Sequence, residues 1–320
     1  MLSRVAETIY WMSRQVERAE NISRFLEVTW TLTLDQPENL IDPWAPLVQV
    51  TADDEYFKEK YGDANANTVT QFLAFDAEYH SSMLTVLRAA RENARGVRET
   101  LSSEAYEQLN DFYHFVNNAA ASKIDPTPEF FDTVRQKALL WTGIVDSTMS
   151  HDMSWHFANV GRMIERADKT SRILDVKYFN LLPRVDDVGT AIDDLQWSAL
   201  LLAISGFEAY RRKHRLIELE SVIEFFLFNE DFPRSVRYSV ASADWSLQQI
   251  EKESSTPSEG QEDSAIAKAQ TAALRHRLSN TSVKEVLAGG MHQFIDAVQI
   301  ELNNIGTSLN HDYFHAAIPS

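Results

Sequence analysis

Cysteine is absent from the 320 residues, which excludes disulfides, thiolate metal sites and a thiol nucleophile together. Turn formers are also scarce. Ten glycines and nine prolines favour long helices joined by few turns over a many-stranded sheet protein. Long apolar runs are missing too. The segment 195–207 is apolar but short, and it continues into Tyr210-Arg211-Arg212-Lys213, so no bilayer span is expected. The N-terminus enters an amphipathic helix directly, without the apolar core of a signal peptide. Basic residues are outnumbered, 30 against 47 acidic, for a net charge of −17. A surface of that sign repels phosphate backbones, so nucleic acid is a poor partner. A cytoplasmic placement suits this set of absences.

The chain does contain material for a core, at 44% hydrophobic and 11% aromatic residues. Apolar positions at helical spacing predict a first helix over residues 3–33, followed by a partly helical connector over 37–66. Further helices are expected at 66–99, 103–121, 127–149, 153–180, 187–216, 218–229, 234–254, 264–278 and 282–310. The polar, Pro- and Gly-containing stretch 253–264 is expected to be a flexible loop.

An internal repeat stands out. Arg14-x-x-Glu17-Arg18-Ala19-Glu20-x-x-Ser23-Arg24 returns as Arg162-x-x-Glu165-Arg166-Ala167-Asp168-x-x-Ser171-Arg172, 148 residues later and without a gap. A weaker pair follows in the same order, Val69, Phe72, Asp76 and Ser82 matching Val222, Phe225, Asn229 and Ser235 at an offset of 153. Duplication is the economical account. The expected fold is therefore all-α: a single domain over 1–320, a helical bundle of two duplicated halves spanning about 1–150 and 151–320.

On a helical projection Met12, Val16, Ala19, Ser23, Leu26 and Trp30 share the inward face. Glu17, Glu20 and Arg24 fall on its flank, and Arg14 and Arg18 lie roughly opposite. Arg14 and Arg18 are like charges at i,i+4, as are Arg162 and Arg166. Such pairs are mildly unfavourable alone, so both sets call for acidic partners on a neighbouring helix or on a ligand. Packed about a pseudo-twofold axis, the halves would bring Glu17, Glu20, Glu165 and Asp168 near one centre. No metal is assigned to that cluster, because neither repeat helix carries a His three residues after its Glu.

These residues resemble the Alpha-E family, a bacterial helical family named for its Glu-Arg motif. The resemblance is carried by Leu2-Ser3-Arg4-Val5-Ala6-Glu7, Tyr10-Trp11, Arg14 and Glu17-Arg18-Ala19-Glu20-Asn21. It continues through the run from Ala90 to Glu99, through Gly161-Arg162-x-x-Glu165-Arg166-Ala167-Asp168, and through Phe232-Pro233-Arg234-Ser235-Val236-Arg237. The resemblance implies gene company with an ATP-grasp-family protein and a transglutaminase-like protein. It implies in turn a role in making or trimming amide-linked peptides or a peptide tag.

Arg91, Asn93, Arg95 and Arg98 form a basic ridge on one helix, suited to carboxylate or phosphate, unless Glu92 and Glu99 absorb it. Arg234 and Ser235 follow Pro233 at an expected helix start, where free N–H groups favour anions. His311 and His315 have zinc spacing but no third ligand, and a frayed tail is expected there. Gly289-Gly290 lacks the Lys-Ser/Thr of a phosphate loop, and no cofactor is assigned. The candidate ligand set is Arg14, Arg18, Arg91, Asn93, Arg95, Arg162, Arg166, Arg234 and Ser235, with Glu17 and Glu165 as candidate acid–base catalysts. Three functions stay open: an accessory subunit binding a peptide or a partner enzyme, an enzyme of amide chemistry using a Glu of raised pKa, and a structural scaffold. The oligomeric state is left open as well.

Overall fold

A computed structural model describes residues 1–35, 44–51, 53–180, 191–254 and 266–314, and among these there is no strand. Two long helices, α1 (Ser3–Asp35) and α8 (Met153–Asn180), pack along each other through the middle of the molecule. α1 also closes a ring with α5 (Met83–Gly96), α6 (Ser103–Ala121) and α7 (Pro128–Thr148), each packing on the next in chain order. α8 closes a second ring with α12 (Val236–Ser254), α13 (Ile266–Asn280) and α15 (Met291–Leu309), again in chain order. Shorter helices fill the margins: α2 (Trp44–Thr51), α3 (Asp54–Tyr61), α4 (Ala66–Thr70), α9 (Ala191–Ala203), α10 (Phe207–Lys213), α11 (Leu219–Leu227) and α14 (Val283–Gly289).

The inward face of α1 is as its spacing predicts, with Met12, Val16, Ala19, Ser23 and Leu26 buried. A solvent face opposite them does not exist over this stretch. Neighbours surround α1, so Glu17, Glu20, Asn21 and Arg24 are buried as well. The approach of α1 to α8 is close enough to require a missing side chain. A Cβ at Gly161 would lie 2.3 Å from the Tyr10 carbonyl oxygen. Ser13, 148 residues earlier, is the small buried residue at the matching place in α1.

Three expected helices are interrupted. The stretch 66–99 breaks between Phe75 and Ser82 because the Asp76 carboxylate accepts the Glu78 and Tyr79 amides, turning the chain, while the Ser82 hydroxyl donates to the Asp76 carbonyl at 2.6 Å. Ser82 then caps α5 through the Thr85 amide. The same turn recurs at Asn229: its side chain accepts the Asp231 and Phe232 amides, Ser235 donates to the Asn229 carbonyl, and the Ser235 hydroxyl receives the Tyr238 amide. The stretch 187–216 breaks at Ser205, whose φ is +53°, and resumes after Gly206. The stretch 282–310 breaks at Gly290, where φ is +98°.

Of the connector 37–66, residues 37–43 and 52 lie outside the described residues, and the rest supplies α2, α3 and the start of α4. Of the expected loop 253–264, Glu253 and Ser254 finish α12 and residues 255–264 lie outside the described residues. The tail is not frayed as far as Phe314, which is buried, and the Asp312 carboxylate accepts the Ala267 amide at the start of α13. No described helix is long and apolar enough to cross a membrane.

Gly161→Ala is expected to destabilise the protein by about 2 kcal/mol or more, since the clash is with backbone and relief needs α1 and α8 to separate. Urea denaturation of the variant against the parent measures this. An unchanged midpoint would mean that the two helices do not approach as described.

Candidate functional site

Adjacent residues on a helix point about 100° apart, so the Glu and Arg of one Glu-Arg pair face different neighbours. Each reaches across to the other helix. Arg18 donates from Nε to Glu165 Oε1 at 2.6 Å and from Nη2 to Oε2 at 3.0 Å. Arg166 donates from Nε to Glu17 Oε1 at 2.9 Å and from Nη2 to Oε2 at 2.7 Å. Both contacts are two-pronged and use the same guanidinium edge, giving planar geometry and charge-assisted bonds. The paired residues are related by the 148-residue offset of the motif, so the pattern is reciprocal.

Around this crossed pair the two sides differ. On the Glu165 side, Arg14 adds a bond from Nε to Oε2 at 2.8 Å and Lys169 stands at 3.7 Å. Arg14 also donates to the Tyr10 hydroxyl. Asp168 holds Arg172 at 2.9 Å and Lys169 at 3.0 Å. On the Glu17 side, Arg234 donates to Glu17 Oε1 at 3.1 Å and also grips Glu20, which Arg24 meets at 2.7 Å. Asn21 completes the Glu17 shell at 3.1 Å. Thr170 fixes this insertion by donating to the Arg234 carbonyl. Glu17 and Glu165 are 2% and 0% exposed, which leaves no edge of either carboxylate facing water.

The electrostatics follow from those contacts. Burial pushes the Glu17 carboxyl up, but the guanidiniums of Arg166 and Arg234 outweigh it and hold it at about 2. Burial likewise opposes ionisation of Glu165, and Arg18, Lys169 and Arg14 together hold it well below the usual carboxylate range. Asp168 is lowered against its own burial by Lys169 and Arg172. Arg24 is pushed down to about 10, by burial first and by the like charge of Arg234 second. The raised pKa expected of a catalytic Glu is therefore absent from both. Each is held in its anionic form by the cations around it.

The expected ligand set divides. Arg14, Arg18, Arg166 and Arg234 converge on Glu17 and Glu165. Arg162 instead donates to Asp146 and to Asn159 at 2.9 Å, at the border of the network. Arg91 binds Asn110 at 2.7 Å and Glu92 at 3.0 Å, and lies over the Tyr113 ring. Asn93 donates to Gln15, and Arg95 meets Glu92 at the surface. Ser235 is spent on the Asn229 turn. Thus Arg91, Asn93 and Arg95 form a paired surface ridge apart from the Glu-Arg centre. Lys169 is the member of the network that the motif comparison overlooked, because its counterpart 148 residues earlier is Asn21. Among the described residues no group of three His, Asp or Glu could hold a metal ion.

A family model named Alpha-E, described as a predicted alpha-helical domain with a conserved ER motif, matches residues 1–314. The chain belongs to the Alpha-E family. It contains two Glu-Arg dipeptides, and both lie in the crossed network. An uncharacterized protein of Mycobacterium bovis and one of Mycobacterium tuberculosis are each 25% identical to this Alpha-E chain over 262 residues, covering 74% of it. The match spans only 28% of the length of each of those relatives. No solved structure matches the chain.

Glu165→Gln would leave Arg14 and Arg18 facing a neutral amide in a buried site, and a loss of about 3–5 kcal/mol in stability is expected. Glu17 also sets a pH dependence. Its folded value of about 2 lies below the usual 4.5, so its contribution is complete above pH 4.5 and fades as pH falls toward 2. Acid titration followed by circular dichroism should show stability dropping across that window, and Glu17→Gln should flatten that part of the curve. A parent protein whose stability does not change between pH 4.5 and 2 would contradict the clamp.

Proposed function

We propose that this Alpha-E chain is an accessory, non-catalytic component of an ATP-grasp-linked system that makes or trims amide-linked peptides. In this role it binds a peptide carboxylate or the partner enzyme. The observation that carries the reading is the closed state of Glu17 and Glu165. Each is fully buried, depressed in pKa and held by at least two cations, an arrangement that fixes two helices and disfavours proton transfer. The lengths of the mycobacterial relatives support it further, because there the matched unit is a minor part of a longer chain. A unit that works beside other domains suits a supporting role. The partners proposed are the ATP-grasp-family protein and the transglutaminase-like protein implied by the family resemblance.

The reading also takes the two helical rings as copies of one unit. The identical edge geometry of the Arg18–Glu165 and Arg166–Glu17 contacts supports that, as do the matching turns at Asp76 and Asn229.

Co-purification of the chain with its ATP-grasp-family neighbour is expected at micromolar concentration, and its absence at that concentration counts against the proposal. In the assembled system, Glu17→Gln and Glu165→Gln should lower product formation only in proportion to the fraction of chain unfolded. Loss of turnover in a fully folded Gln variant, restored by no increase in protein stability, would return these residues to an acid–base role.

A further inference from the structure

A cleft of about 430 Å³ opens directly over the Glu17 side of the network, within the size range of small-ligand sites. Two of its lining residues, Ser205 and Pro233, are also the outermost acceptors for buried arginines. The Ser205 hydroxyl receives Arg24 Nη1 at 2.5 Å, and the Pro233 carbonyl receives Arg166 Nη1 at 3.4 Å. Both residues are exposed while Arg24 and Arg166 are buried. The Ser205 hydroxyl therefore links the cleft lining to the Arg24 guanidinium. Ser205 itself occupies the left-handed region at φ +53°, a conformation that sets its hydroxyl at the break between α9 and α10.

The charge beneath the cleft is uneven. Three guanidiniums, of Arg24, Arg166 and Arg234, share the two carboxylates Glu17 and Glu20. Arg24 and Arg234 both lean on the same Glu20 oxygen, Oε1. At the rim, Arg212 is exposed and donates to the Glu208 carbonyl, and Lys213 makes a surface pair with Asp231. Arg212 and Lys213 on the lining, with Arg24 directly behind Ser205, select an anion, and guanidinium fits the planar carboxylate. Glu208 and Asp231 line the same cleft, which disfavours a dianion such as phosphate and suits an ammonium or amide N–H nearby. One wall is apolar, built from Phe225 and Phe232 stacked at 4.6 Å between ring centroids.

We propose that this cleft binds the C-terminal carboxylate of a short peptide, seated between Arg212 at the rim and Ser205, behind which Arg24 lies, with the terminal side chain against Phe225 and Phe232. In the bound state the carboxylate replaces the Ser205 hydroxyl as the acceptor for Arg24 Nη1. This rests on the peptide-binding reading above and narrows it to one place.

The test is titration of the full chain, without any partner protein, with a panel of dipeptides ending in Phe, Leu, Ala, Glu or Lys. Each is offered as the free acid and as the C-terminal amide, and binding is followed by calorimetry and by amide shifts. The free acids, with Phe or Leu last being the tightest, should bind at least tenfold more tightly than their amides. Arg212→Ala should weaken the free acids about tenfold, and inorganic phosphate should compete poorly. Ser205→Ala, an exposed substitution, should keep or tighten binding, because it removes the competing acceptor from Arg24. Equal binding of acid and amide, no binding of any panel member at 10 mM (about 3 kcal/mol of affinity), or a loss of binding in Ser205→Ala overturns the assignment. Failure here with successful co-purification would sink the cleft alone; the reverse result would sink only the ATP-grasp association.

Discussion

Two carboxylates without water hold this molecule in register. Burying a glutamate costs several kcal/mol unless its oxygens are met by well-placed cations. In this fold the cations for each glutamate come chiefly from outside its own helix. Glu165 of α8 is met by Arg14 and Arg18 of α1, and Glu17 of α1 by Arg166 of α8 and by Arg234 ahead of α12. The close approach at Gly161 and the convergence of the charges are one requirement seen twice, since guanidinium reach fixes how far apart α1 and α8 can stand. Hydrophobic packing of the two rings supplies the bulk of the burial, while the crossed pairs specify a single relative placement of the helices.

The same closure separates support from chemistry. A general base needs a lone pair directed at substrate and a pKa near the working pH. Glu17 and Glu165 have neither. The part of the network that does border open space is its cationic edge, where Arg24 and Arg166 end at exposed acceptors. That cationic edge is what the proposed anion recognition would use, and the acidic balance of the chain would keep competing anions at a distance from it.

Much of this was legible in the sequence. Helix spacing gave α6 and α8 to the residue, and the 148-residue offset placed Glu17, Arg18, Glu165 and Arg166 in one argument before their contacts were known. The like-charged Arg14/Arg18 and Arg162/Arg166 pairs signalled acids on a neighbouring element, and three of these four arginines do meet the opposite motif's glutamate. What periodicity could not supply was surroundings. It drew α1 as a two-faced helix, whereas a helix ringed by neighbours has no outer face, so Arg14 and Arg18 turned out to point at a partner. Arg91 and Arg95 carried the same forked chemistry as the central arginines, but their acids lie on their own helix, which no residue count distinguishes from a ligand. The breaks at Asp76, Ser205 and Gly290 were missed because side-chain turns and positive φ interrupt a helix without disturbing its apolar period.

Crossed pairing also bears on how the chain can be taken apart. A fragment ending near Thr148 would keep Glu17 but lack Arg166 and Arg234; the complementary fragment would keep Glu165 but lack Arg14 and Arg18. Each piece would thus be left with a glutamate stripped of its arginine partners, Glu165 keeping only Lys169 of its own helix. Sequence resemblance between the two rings therefore does not translate into electrostatic independence: each ring holds a buried acid whose guanidinium partners belong to the other.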